Sequence, residues 1–161
     1  FVSLQGESTY AGLPCFFVRL AGCNLHCRYC DTPGVTGAGT EVAVARVADE
    51  FRASGAALAE ITGGEPLLQE GFPALAVALR DAGLGPVLVE TNGSLSLARV
   101  PDRVIAVMDL KCPGSGEQAA MDLQNLARLR PYDEVKFVVS DRGEAGILKS
   151  SSSGHFHDLF E

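Results

Sequence analysis

An apolar run, Cys15-Phe16-Phe17-Val18-Arg19-Leu20, leads through Ala21 into Gly22-Cys23-Asn24-Leu25-His26-Cys27-Arg28-Tyr29-Cys30-Asp31-Thr32. The run has the apolar and aromatic density of a strand. The stretch it feeds carries three cysteines spaced C-x3-C-x2-C. Thiolates are soft ligands that select iron–sulfur clusters, zinc or copper. Three close thiolates can hold three corners of a 4Fe–4S cube and leave the fourth iron open for chemistry. A cube held by four protein cysteines is usually an electron carrier. Structural zinc is the main alternative and normally takes four protein ligands. The nearest fourth candidates are His26, Cys15 and Cys112, but His26 adjoins Cys27, and no second C-x2-C pair follows. A disulfide framework fits poorly, because 5 cysteines cannot all pair and no signal peptide is visible.

The chain has 161 residues, the length of one domain. With 47% hydrophobic and 20% charged residues it can bury a core, and it reads neither as disordered nor as a membrane protein. No apolar run approaches the roughly 20 residues that cross a bilayer. A net charge of −7 argues against nucleic-acid binding, which needs clustered Lys and Arg. Free thiols without an export signal point to a reducing, cytoplasmic compartment. The first residue is Phe inside a strand-like pattern, so a start within a longer chain is expected.

Strand and helix patterns alternate. Phe1–Leu4 reads as a short strand, Gln5–Gly12 as a polar loop, and Gly34–Gly39 as another loop. Thr40–Ser54 has helical spacing at Val44, Val47, Ala48 and Phe51, with Thr40 as the expected cap and Gly55 as the stop. Ala59–Thr62 is a buried strand. Phe72–Ala82 is a helix with Pro73 in its first turn and Gly83 at its end. Strands are expected at Pro86–Glu90, Val104–Leu110 and Val135–Val139, with a third helix at Ala119–Leu129. Such alternation gives βαβ units and a parallel sheet, with the functional loops at the C-terminal strand ends. The polar motifs fall at those ends. Residues 1–143 form the expected domain; 144–161 read as a Ser-rich tail or linker.

Thr62-Gly63-Gly64-Glu65-Pro66 follows one predicted strand. Its glycines let the backbone approach a ligand closely. The turn's carbonyls and the Glu65 carboxylate could receive an ammonium; alone, the motif could equally be an ordinary strand-to-helix turn. Asp109-Leu110-Lys111 ends another strand with two charges, and Glu90-Thr91-Asn92-Gly93 ends a third, though Asn-Gly is also a plain turn signal. Arg19 lies in an apolar strand, where an unpaired cation is costly. A structural pair with Glu7 or Asp31 and a planar grip on an anionic substrate explain it equally.

The cysteine spacing, with Tyr29 before the last cysteine, and the Gly-Gly-Glu-Pro run resemble the radical S-adenosylmethionine (SAM) superfamily. There SAM chelates the open iron, the aromatic residue lies near the adenine, and the glycine run binds the methionyl amine. By that resemblance Asp109 and Lys111 bind the SAM ribose or carboxylate; the bland reading of the two charges is a surface salt bridge. More specifically, Ser3-Leu4-Gln5-Gly6-Glu7-Ser8, Phe17–Leu25, Cys30-Asp31-Thr32 and Asp109-Leu110-Lys111 resemble the 7-carboxy-7-deazaguanine synthase family, over residues 1 to about 143. The resemblance implies a 4Fe–4S cluster on Cys23, Cys27 and Cys30, with Cys15 and Cys112 outside it. It puts Tyr29, Cys30, Asp31, Gly64, Asp109 and Lys111 near SAM, Leu4, Gln5, Gly6, Arg19 and Thr62 at the substrate, and Thr32 on Mg2+. The implied reaction converts 6-carboxy-5,6,7,8-tetrahydropterin to 7-carboxy-7-deazaguanine by radical ring contraction with loss of ammonia, toward queuosine and related 7-deazapurines. An electron donor such as flavodoxin and a homodimer are expected with it. The nearest rival is a glycyl-radical-enzyme activase, whose cluster loop typically continues His-Asn rather than Asp-Thr. A non-catalytic iron–sulfur or zinc module has no need of the other strand-end motifs. The expected architecture is an incomplete (β/α) barrel with parallel strands, since a full eight-stranded barrel usually takes about 250 residues.

Overall fold

Six strands, β1 (Val2–Leu4), β2 (Pro14–Leu20), β3 (Leu58–Gly63), β4 (Val87–Thr91), β5 (Val104–Asp109) and β6 (Glu134–Lys136), lie side by side in chain order in one sheet. The computed structural model describes residues 1–32, 35, 37, 39–83 and 85–144. Strands β2 to β6 run parallel, and β1 pairs antiparallel with β2 at one edge. Helix α1 (Val44–Ser54) connects β2 to β3, and α2 (Phe72–Asp81) connects β3 to β4. The sheet is open, an incomplete (β/α) barrel, as the alternating pattern implies.

Side chains alternate across each strand, and the two faces bury different things. Phe16, Ala59, Ile61, Val87, Val89, Ala106 and Met108 pack against Phe51 of α1 and Phe72, Leu75 and Leu79 of α2. Each such large side chain contributes about 1.5–3 kcal/mol on burial, so this layer holds the helices to the sheet. On the inner face, Cys15, Leu58, Leu88, Ile105 and Val107 form a smaller apolar floor, with Tyr10 and Phe17 against it.

The loop after β1 bridges the open side. Thr9 donates to Glu134 of β6 from its backbone N (3.1 Å) and its hydroxyl (2.5 Å). Glu7 pairs with Lys136 Nζ at 2.5 Å. Side chains thus join the two sheet edges where no ladder does.

Three expected elements differ. Helix α1 begins at Val44, not Thr40; its cap is Ala43, extended at φ −62 and ψ 133, with no side-chain bond. Gly55 ends it at φ 67, where a residue with Cβ would be strained. The expected helix Ala119–Leu129 is a short turn at Gln118–Ala120 and α3 (Asn125–Arg128). Tertiary bonds intervene: Asn125 accepts from Leu97 N and donates to Gly93 O and Leu95 O, and Asp122 N donates to Gly93 O. The last strand spans Glu134–Lys136 rather than Val135–Val139. The Ser-rich tail from 145 onward and part of the Gly34–Gly39 loop lie outside the described residues. Glu144 itself accepts from Ser140 N at 2.6 Å and Ser140 Oγ at 2.8 Å. No helix among the described residues is long and apolar enough to cross a membrane.

Candidate active site

The inner face turns polar toward the C-terminal strand ends. Above the floor stand Arg19 on β2, Glu60 and Thr62 on β3, Glu90 on β4, Asp109 on β5 and Lys136 on β6. These line a cavity of about 730 Å³ together with the cysteine loop and Gln5, Gly6 and Glu7.

Cys23, Cys27 and Cys30 all border this cavity, the first two half-buried and the third exposed. The loop is pinned from outside, where Arg28 N donates to Ser115 O (2.9 Å) and His26 N to Glu117 Oε1 (2.7 Å), and from within, where Cys30 N donates to Cys27 O (3.1 Å). Burial pushes the Cys27 thiol up, and Lys111 opposes it. Cys15 and Cys112 are buried and border no part of the cavity. Burial, with the Glu60 charge adding to it, pushes the Cys15 thiol up to about 12. A thiol held protonated in an apolar floor is a small hydrophobe rather than a ligand. Among the described residues no three His, Cys, Asp or Glu side chains converge as on one metal ion. Three thiols that border one cavity fit a cube, which takes each thiolate on a different iron.

The glycine turn after β3 locks onto the cysteine loop. Gly64 N donates to Leu20 O (3.0 Å), and Glu65 N donates to Gly22 O (2.8 Å). A Cβ on Gly64 would stand 1.9 Å from Gly22 O, and Gly63, at φ 128, would place one 2.1 Å from Leu20 O. These glycines let two backbone segments touch, and so set the loop's height above the sheet. The sequence expectation for Glu65 does not hold. Its side chain is fully buried and accepts from Leu67 N (2.9 Å), Thr91 Oγ1 (2.9 Å) and Asn92 N (2.7 Å). It binds β3 to β4 and has no face toward a ligand's ammonium.

Asp109 and Lys111 form a largely buried ion pair, not a surface one. Burial alone would lower the Lys111 ammonium, but the Asp109 charge and hydrogen bond hold it above its ordinary value. Asp109 Oδ1 is buried and has no hydrogen bond, only Lys136 Nζ at 3.3 Å. An acceptor left without a donor at a cavity wall fits a ligand that brings a hydroxyl or an ammonium.

Arg19 is exposed to the cavity and makes neither of the two pairs the sequence left open. Its Nη1 donates to Thr32 Oγ1 at 3.2 Å, and its guanidinium lies 6.0 Å from the Phe1 ring centroid. Thr32 Oγ1 in turn donates to Asp31 Oδ1 at 2.8 Å. Tyr29 OH donates to Val138 O (3.3 Å). Thr62 Oγ1 donates to Glu90 Oε2 (3.2 Å). Gln5 is buried; Nε2 donates to Glu60, while Oε1 accepts from Glu7 N at 2.9 Å, so both ends of its amide are fixed. Leu4 stands apart, 64% exposed and outside the cavity lining.

Two charged residues were missed. Lys136 pairs with Glu7, Glu90 (3.0 Å) and Asp109 at the cavity's far wall. Burial would lower its ammonium, yet Asp109 and Glu90 hold it well above the ordinary range. Glu60 is buried; that burial, with the Glu90 charge adding to it, pushes its carboxyl up to about 8. A charged residue inside an apolar run was the available signal for both.

The radical SAM superfamily model matches residues 18–112. The chain is 42% identical over 154 residues to the 7-carboxy-7-deazaguanine synthase of Koribacter versatilis, covering 95% of this chain and 68% of the relative. The synthase of Chlorobaculum tepidum is 44% identical, with 96% and 71% covered. That of Methanospirillum hungatei is 46% identical, with 86% and 58% covered. The crystal structure of QueE from Escherichia coli shares the fold, with a TM-score of 0.71 at 23% identity over 98% of this chain and 77% of that one.

Proposed function

The chain belongs to the 7-carboxy-7-deazaguanine synthase family of radical SAM enzymes, and we propose that its cavity carries out that family's reaction. The substrate is 6-carboxy-5,6,7,8-tetrahydropterin, and the product is 7-carboxy-7-deazaguanine, formed by ring contraction with loss of ammonia. One observation carries the reading: the three spaced thiols, the glycine turn and the Arg19–Thr32 pair all face one cavity at the C-terminal strand ends.

Cys23, Cys27 and Cys30 hold the 4Fe–4S cluster, and Tyr29, Cys30, Asp31, Gly64, Asp109 and Lys111 border the SAM. When bound, cluster and SAM together supply the one-electron chemistry that removes a hydrogen atom from the pterin. The protein's share is to position and enclose. Asp109, paired with Lys111, has one carboxylate oxygen without a hydrogen-bond donor, which suits a cofactor hydroxyl. Arg19 offers a planar fork to the substrate carboxylate. Gln5, Gly6 and Thr62 flank it, and the Glu7 and Glu90 carboxylates are acceptors of the kind the pterin's amino and N–H edge requires. Leu4 is not among the residues that line the cavity, so its place at the substrate rests on the family pattern alone. Thr32 and Asp31 present adjacent hard oxygens, which suit Mg2+ completed by water and substrate oxygens. The net charge of −7 suits a small-molecule enzyme rather than a nucleic-acid binder. A flavodoxin-type reductant, a homodimer and a cytoplasmic location belong to the same proposal. Anaerobic reconstitution with iron and sulfide, followed by product analysis with SAM, reductant, Mg2+ and the carboxypterin, tests it.

A further inference from the structure

We propose that Asn92, at the end of β4, is a hydrogen-bond donor to the Cys23 thiolate and sets how readily the cluster is reduced; the inference rests on the cluster reading above. The Asn92 backbone is fixed, because its N–H donates to the buried Glu65 carboxylate at 2.7 Å. The residue is 7% exposed, and the orientation of its side chain is determined by chemistry. Oδ1 accepts from Ser94 N (2.9 Å) and from Ser94 Oγ (2.6 Å). A backbone N–H can only donate, so the end of the amide facing Ser94 is the oxygen and the other end is Nδ2.

Nδ2 carries two protons. One goes to Asn24 Oδ1 at 3.0 Å, and Asn24 Nδ2 donates onward to Ser94 Oγ at 2.8 Å. Asn92, Asn24 and Ser94 thereby close a ring in which each donor meets an acceptor. The second Nδ2 proton is left over, and the atom it faces is Cys23 Sγ, 3.8 Å away. The same sulfur receives the Leu25 backbone N–H at 3.5 Å. Donors to a cluster sulfur spread its negative charge and favour the reduced, more negative state; such bonds are among the factors that set iron–sulfur potentials. The Glu90-Thr91-Asn92-Gly93 turn is then more than a turn. It aims one N–H at one cluster ligand.

The test is an anaerobic redox titration of the reconstituted protein without SAM, followed by the electron paramagnetic resonance of the reduced cluster, with iron counted in each sample. Asn92→Ala and Asn92→Ser should each disfavour reduction about tenfold, a potential lower by about 59 mV for a one-electron couple. Asn92→Ser keeps an acceptor for Ser94 N–H and so preserves the turn if the alanine variant does not fold. Ser94→Ala keeps the Ser94 N–H bond that orients the amide, so its potential should stay close to that of the wild type. An unchanged or raised potential in an iron-replete Asn92 variant overturns the inference. If neither Asn92 variant retains iron, Asn92→Asp, which keeps the acceptor for Ser94 N–H and replaces only the donor, takes their place, and an unchanged or raised potential in it overturns the inference. If the wild-type protein itself gives no 4Fe–4S signal, the cluster reading falls and this inference with it, an outcome distinct from a normal cluster with an unmoved potential.

Discussion

Arg19 Nη1 stands 3.2 Å from Thr32 Oγ1, joining the end of β2 to the residue two places beyond the last cysteine of the triad. The substrate's carboxylate and Mg2+ are therefore expected to be read by one connected pair. Arg19→Lys loses the planar fork and one charge-assisted bond, about 1.5–3 kcal/mol or roughly ten- to a hundredfold in substrate requirement. Thr32→Ala should weaken the Mg2+ response of turnover. Both should leave the cluster spectrum and uncoupled SAM cleavage largely intact. Because the two side chains touch, the double variant should cost less than the sum of the singles. Wild-type turnover and Mg2+ response in both single variants would remove the substrate end of the assignment and favour the activase reading.

Gly64→Ala tests the contact between the glycine turn and the cysteine loop. The new Cβ would meet backbone, not a flexible side chain, 1.9 Å from Gly22 O, so the loop must move. Iron bound per chain after reconstitution is expected to fall severely, while Gly71→Ala, where a Cβ meets nothing within 4 Å, serves as control. Full iron content in Gly64→Ala would show that the loop's height is not set here.

Lys136→Met should destabilise the fold. It leaves Glu7, Glu90 and Asp109 facing one another without their shared cation. Breaking a buried pair is strongly destabilising; with 24% of the Lys136 side chain still in water, about 2 kcal/mol is expected. Chemical denaturation measures it, and Glu90→Gln in the same background should recover part of the loss. An unchanged midpoint would mean that the far wall needs no cation.

Glu60 gives a pH dependence with a defined sign. Its carboxyl is raised from an ordinary 4.5 to about 8 in the folded protein, chiefly by burial. Between those values the folded state keeps a proton that the unfolded chain releases, so stability falls as pH rises through this window. The contribution is full below 4.5 and lost above 8. Subtracting the stability of Glu60→Gln from that of wild type at each pH should give a difference that declines across the window. A flat difference would show Glu60 to be ionised throughout.

Much of this was legible beforehand because buried parallel strands read as apolar runs and the cysteine and glycine motifs are local in sequence. What was not legible depends on neighbours in space. Thr40 looked like a cap, but the helix starts after extended Ala43. Asn125 broke a helix-like run because its amide is recruited by Gly93, Leu95 and Leu97. Glu65 looked like a ligand to an ammonium until its buried position between β3 and β4 was seen. Glu60 and Lys136 needed the strand register before either could be assigned to the cavity wall.

The central claim is tested most directly by product analysis. The protein, reconstituted anaerobically with iron and sulfide, is incubated with SAM, a reductant, Mg2+ and 6-carboxy-5,6,7,8-tetrahydropterin, and the mixture is analysed by mass spectrometry. The account predicts 7-carboxy-7-deazaguanine and ammonia, dependent on SAM, and neither from Cys27→Ala. An intact cluster that cleaves SAM yet leaves the carboxypterin unchanged would contradict it.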